Sequence, residues 1–130
     1  MSEQKDMTPG IVCWNELVSN DVEGSKQFYS ELFGWTSEEM SMPDGSYHFL
    51  KLGDRPAGGL IQMPSEAEGA PTMWMPYVTV ANLQEARDKA VGLGAKLCKD
   101  VTAVPEMGSF VIITDPQGAT LGLWEFAQNG

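Results

Sequence analysis

One histidine, two cysteines and eight basic residues are all that this 130-residue chain offers to several kinds of chemistry. A single imidazole limits transition-metal binding, because imidazole is the commonest ligand for such ions. Cys13 and Cys98 stand in no CxxC or Cys/His arrangement. Neither a disulfide framework nor a zinc site is expected from them, and a reducing, cytoplasmic setting is. Eight Lys and Arg against 18 Asp and Glu give a formal charge of −10. Nucleic acid and anionic membrane surfaces are held by clustered cations, so neither is an expected partner. No apolar run approaches the ~20 residues of a spanning helix, and MSEQKDMTPG lacks the apolar stretch of a signal peptide. P-loop and Rossmann glycine patterns do not occur. What is present is 42% hydrophobic and 20% charged, the composition of a globular protein. One domain is expected, over residues 8–127.

The chain repeats itself. Phe49–Met63 (FLKLGDRPAGGLIQM) aligns without a gap on Phe110–Trp124 (FVIITDPQGATLGLW), an offset of 61. The same offset carries Trp14–Lys26 onto Met75–Arg87 and Asp21 onto Asn82. Two modules are expected, 10–63 and 74–126, joined by a polar linker at 64–73.

Both modules have the same order of signals. The β-branched and aromatic runs Ile11–Val18 and Met75–Val80 predict first strands. Asp21 (or Asn20, one position earlier) and Asn82 predict helix caps, the latter with Glu85 in capping-box spacing. Val22, Phe28, Tyr29, Leu32 and Phe33 form an apolar stripe before Gly34, and are expected to be core. Leu83, Ala86, Ala90 and Leu93 form the second stripe, before Gly94; both glycines suit a left-handed helix stop. Three strands are expected to follow in each half: about 35–40, 47–52 and 57–63, then about 96–101, 109–114 and 120–126. PDG (Pro43–Gly45), GDRP (Gly53–Pro56) and DPQG (Asp115–Gly118) read as turns. Each module is therefore βαβββ.

Those residues resemble the vicinal oxygen chelate superfamily of glyoxalase I, bleomycin- and fosfomycin-resistance proteins and extradiol dioxygenases. The resemblance rests on WNELVSNDVEGSKQFYSELFGW (Trp14–Trp35), WMPYVTVANLQEA (Trp74–Ala86) and DPQGATLGLWE (Asp115–Glu125). It implies an α+β glyoxalase/bleomycin resistance-like fold, a curved mixed sheet around a cavity. It further implies that metal-holding members carry a His or Gln on the first strand of each half and a carboxylate on the last. Those places fall here on Trp14 and Met75, and on Ile61 and Gly122, with Gln62 one residue away. None is a ligand that holds zinc or nickel. No metal and no other cofactor is expected, and the sequence looks most like a metal-poor bacterial glyoxalase-like branch. His48, between Tyr47 and Phe49, has no partner at ligand spacing and reads as a surface or hydrogen-bonded side chain.

Strand alternation sends every second side chain to one face. If Trp14 faces the cavity, so do Glu16, Met63, Met75, Tyr77 and Trp124; the facing of Tyr47 is left open by parity. Aromatic and thioether walls with one carboxylate suit a small organic ligand. Glu16 is the candidate for binding a cation or donor on that ligand, or for acting as a base; the alternative is a hydrated carboxylate paired with Lys51 or Arg55. The expected function is metal-independent binding of a small molecule. The alternative is a lyase, isomerase or oxygenase of the same superfamily, using Glu16 as base with Tyr47 or Tyr77 as polar partner, or a non-standard metal site. A homodimer is the expected assembly.

Overall fold

Asp21 ends the first strand and begins the first helix in a single residue. Its Oδ1 accepts from the Gly24 N–H at 3.0 Å, satisfying one of the donors that a helix start leaves unpaired. Asn82 repeats the device on the Glu85 N–H at 2.9 Å. The first helix stops at Gly34, whose φ of 78° is the left-handed conformation expected there.

The structure, a computed structural model, describes residues 7–42, 45–64 and 70–127. Pro43 and Asp44 of the expected turn, and residues 65–69 of the expected linker, lie outside these residues. Among the described residues ten elements occur: β1 (Val12–Ser19), α1 (Val22–Phe33), β2 (Thr36–Met42), β3 (Gly45–Leu52), β4 (Arg55–Gln62), β5 (Met73–Thr79), α2 (Leu83–Gly92), β6 (Lys96–Val104), β7 (Gly108–Thr114) and β8 (Thr120–Phe126). They make two βαβββ modules, an α+β architecture. The chain divides into two compact units, one running from Asn15 to Trp74, the other joining the segment up to Trp14 to the chain from Met75 onward. No helix among the described residues is long and apolar enough to cross a membrane.

In the first unit the strand order is β2-β3-β4-β1, with β1 parallel to β4 and the rest antiparallel. A parallel pair cannot be closed by a hairpin, so α1 and two strands form the connection. Leu17, Leu50 and Leu60 make the core on the α1 side, with Val22, Tyr29, Trp35 and Ala57 packed around them. The second unit repeats this as β6-β7-β8-β5, with β5 parallel to β8. Its core is Leu83, Val111, Ile113 and Leu123, with Ala86 and Ala90 of α2 against it.

Two expectations are corrected here. Phe28, Leu32 and Phe33 are not core: α1 buries no residue fully, and these three are 58, 56 and 50% exposed. Leu93 likewise is 70% exposed and caps α2 rather than packing beneath it. Apolar spacing along a helix marks a face, and only the packing decides whether anything covers it. The second correction concerns register. The row Glu16–Gly59–Phe49 across β1, β4 and β3 matches the row Tyr77–Gly122–Ile112 across β5, β8 and β7. The offset is 61 at the first strand but 63 in the hairpin (Gly59 to Gly122, Phe49 to Ile112). Register shifts within β6 and a longer turn before β7 take up the difference. Gly59, not Ile61, is thus the counterpart of Gly122.

Two measurements check this account. Leu60, wholly inaccessible, is expected to cost about 2–5 kcal/mol on replacement by Ala, read from urea unfolding. Asp100 accepts from Arg87 Nε and Nη2 at 3.0 and 2.9 Å, and from the Val101 N–H at 2.7 Å. The Arg87 hydrogen bonds, then that of Val101, hold its carboxyl below the usual range. A carboxyl more acidic in the folded state stabilises at neutral pH, and that contribution is lost as pH falls through the carboxylate range. Asp100→Asn is therefore expected to flatten the acid limb of urea midpoints measured from about pH 7 down to about pH 3.

Candidate functional site

Each sheet has a face turned away from its helix, and these faces carry the residues singled out from the sequence. In the first unit Leu17, Leu60 and Leu50 face α1, so their neighbours Glu16, Gly59 and Phe49 face the other way. Glu16 is only 5% exposed. Gly59, with no side chain, separates it from Phe49 in the same row. Tyr47 meets Phe49 edge to face with ring centres 4.9 Å apart, which settles the open facing: both share the Glu16 side. Lys51, an expected partner of Glu16, has its Nζ 3.1 Å from Glu38 Oε1. Met63 is buried, its N–H donating to the Ser19 carbonyl at 2.8 Å.

In the second unit Met75, Tyr77 and Thr79 are all buried on the face opposite Val111, Ile113 and Leu123. The Tyr77 ring lies so closely over Gly122 that a Cβ there would collide with it. Tyr77 meets Phe110 edge to face at 6.2 Å, Phe110 pairs with Trp124 across β7 and β8, and Trp124 meets Phe126 at 5.9 Å. The result is a continuous aromatic surface. Trp14, half-buried, belongs to this unit too, at the near end of β1.

One polar group on that surface escaped the sequence reading as a site residue. The Thr79 Oγ1 atom is buried and has no hydrogen-bond partner among the described residues. Its inward parity was legible; its isolation was not, because that depends on what surrounds it. His48 departs from expectation in a similar way. It is 7% exposed, on the α1 side, and its Nδ1 has no partner among the described residues. The neighbouring Glu39 accepts a 2.6 Å hydrogen bond from Ser46, which, with the His48 charge as a lesser cause, lowers its pKa.

The places that hold metal in the superfamily do not fit an ion here. Trp14, Met75 and Gly122 offer an indole, a thioether and no side chain; the fourth place is Ile61 by sequence spacing or Gly59 by register. Among the described residues no group of three His, Cys, Asp or Glu is arranged to hold one. Two open clefts of about 440 and 430 Å³ lie elsewhere, beside α1. The first is lined by Tyr29, Trp35 and Leu50, the second by Glu39, Ser46 and His48, and none of the seven expected ligand residues lines either.

Comparison with known proteins gives the class. The glyoxalase-like domain model matches residues 12–123, and the chain belongs to that family, within the vicinal oxygen chelate superfamily. A Mycobacterium bovis protein bearing the name glyoxylase CFP32 is 32% identical over 128 residues, covering 96% of this chain and 49% of its own length. The anthracycline biosynthesis protein DnrV of Streptomyces peucetius is 28% identical over 129 residues, covering 89% of this chain and 47% of its own. The chain thus spans about half the length of these relatives. Among solved structures, methylmalonyl-CoA epimerase from Mycobacterium tuberculosis superposes with a TM-score of 0.65 at 12% identity, covering 98% of this chain and 95% of the other. That likeness is one of fold.

The isolated Thr79 hydroxyl yields a prediction. An unpaired buried hydroxyl costs about 1–3 kcal/mol, and Val keeps the shape without it. Thr79→Val is expected to raise the melting temperature of the unliganded protein by about 3–5 °C per kcal/mol recovered, read by calorimetry. An unchanged or lowered melting temperature would contradict the isolation of that hydroxyl.

Proposed function

We propose that this protein binds a small organic molecule, without a resident metal, on the aromatic faces that turn away from the helices. The observation that carries the reading is the Tyr77–Phe110–Trp124 surface with the single unpaired Thr79 hydroxyl. Small-molecule sites combine mostly apolar, aromatic walls with a few polar groups that orient the ligand, and this surface has both. A flat, largely apolar ligand bearing one hydrogen-bonding group matches it. The name of the anthracycline biosynthesis relative is consistent with an organic ligand of that kind. Two free thiols suit a reducing cytoplasm, and a chain of charge −10 gives no support to nucleic acid as partner.

A second reading is favoured by one observation, the 95% burial of Glu16 beside Phe49. A carboxylate held in a largely buried position is placed to exchange a proton with a bound substrate. On this reading the protein is an enzyme of the same superfamily, with Glu16 as base and Tyr47, on its face, as polar partner.

A thermal-shift screen of planar neutral and cationic organic compounds separates the alternatives. A ligand at a hundredfold excess over its Kd stabilises the folded state by about 2.7 kcal/mol. Trp124→Ala is expected to remove that shift. The binding reading fails if no compound shifts the protein, or if the purified protein holds zinc, nickel or iron stoichiometrically. A Glu16→Gln variant that keeps the shift while a turnover seen with the parent protein disappears establishes the enzyme instead.

A further inference from the structure

The second unit is an internal control for the first, and the two differ at one corner. In the second unit the start of α2 is sealed. Leu83 is 3% exposed and belongs to the core, and its N–H donates to Glu125 Oε1 at 2.7 Å. The counterparts in the first unit are Val22, 61 residues before Leu83, and Gln62, 63 residues before Glu125 by strand register. Neither closes the corner. Val22 is only half-buried, and both line the open cleft of about 430 Å³.

The most buried side chain of that cleft is polar where its duplicate is apolar. His48 pairs with Leu60 across β3 and β4 as Val111 pairs with Leu123 across β7 and β8. Val111 is wholly buried in the second core. The sheet position therefore accepts a plain apolar side chain. The first unit instead places an imidazole there, 7% exposed and lining the cleft, with no partner for Nδ1 among the described residues. Buried polar groups are nearly always hydrogen-bonded, so one left without a partner calls for a ligand to supply it.

The surrounding charge selects that ligand. Asp21 and Glu23 bring carboxylates to the cleft from the start of α1, and Glu39 brings a third from β2. Lys26 answers one of them, its Nζ 3.1 Å from Glu23 Oε2. The 2.6 Å hydrogen bond from Ser46 keeps the Glu39 carboxyl below its usual range and so charged at neutral pH. A helix start ordinarily invites an anion. Here Asp21 already supplies the negative charge, its Oδ1 holding the Gly24 N–H. Two carboxylates in excess of lysine call for two positive charges. Among the described residues no three of these groups are arranged to hold a metal ion, which leaves an organic cation to carry them. We propose that this cleft binds a short organic diamine in its doubly protonated form. One ammonium group donates to the His48 imidazole beside Glu39, and the other lies beside Asp21. A neutral imidazole keeps one nitrogen lone pair that accepts such a bond. The cleft is on the helix side of the sheet, apart from the aromatic faces, so this site stands independently of the function assigned to them.

The chain has one histidine, so its imidazole NMR signals report on this cleft alone. Titration of the full chain with 1,4-diaminobutane at about pH 7.5, where both amines are protonated, is expected to shift them saturably, with a Kd on the order of 1 mM. Glu39→Gln is expected to weaken binding about fivefold. His48→Val, read by calorimetry, is expected to weaken it about tenfold while the melting temperature stays the same or rises. Asp88→Asn, which removes an exposed carboxylate of the second unit, is expected to leave the Kd unchanged. Tetramethylammonium, which carries charge without N–H donors, is expected to give no saturable shift. A diamine shift that does not saturate by about 20 mM overturns the proposal. So does the same shift from tetramethylammonium or magnesium chloride, an unchanged Kd in Glu39→Gln or His48→Val, or an equal loss in Asp88→Asn.

Discussion

The parallel pairing of the first and last strand in each module is the constraint on which the rest depends. It aligns Glu16 with Gly59, and Tyr77 with Gly122. Because parallel neighbours need a crossover, the helix must lie over one face of the sheet, and the other face is left to side chains alone. The glycines in these rows then matter for what they lack. Gly122 lets the Tyr77 ring rest on the backbone, where any side chain would collide with it.

The two modules solve one packing problem with different chemistry. In the second, small residues on α2 bring the helix close to Val111, Ile113 and Leu123. In the first, Tyr29 and Trp35 stand between helix and sheet and α1 buries nothing fully. Those bulky rings do not seal the space under the helix, and Tyr29 and Trp35 line one of the clefts beside α1. A duplicated sequence plan thus carries two different helix surfaces, one ordinary and one rich in exposed aromatic area.

Membership of the glyoxalase-like family defines the scaffold and leaves the chemistry to the site. Methylmalonyl-CoA epimerase shares the fold at 12% identity, too little to carry residue roles across. What this chain has in its own right is a buried carboxylate, a buried unpaired hydroxyl and aromatic walls. The proposed binding function rests on the second unit's hydroxyl and aromatic rings, and the alternative reaction on the first unit's carboxylate.

Local chemistry determined much of this from sequence alone. Asp21, Asn82 and Gly34 act within a turn of their own position, so the helix starts and the first helix stop were legible. Strand alternation was legible for the same reason, and it placed Glu16, Met75 and Tyr77 on faces where the structure buries them. The exposure of Phe28 and Leu32 was not legible, since a stripe at helical spacing looks the same whether or not a surface meets it. Nor was the change of offset from 61 to 63, which arises where register shifts in β6 are set by pairing with β7. The isolation of Thr79 and His48 belongs to the same kind. Side-chain direction follows from the backbone period, whereas burial, register and hydrogen-bond partners come from residues distant in sequence, and only the folded chain brings those into contact.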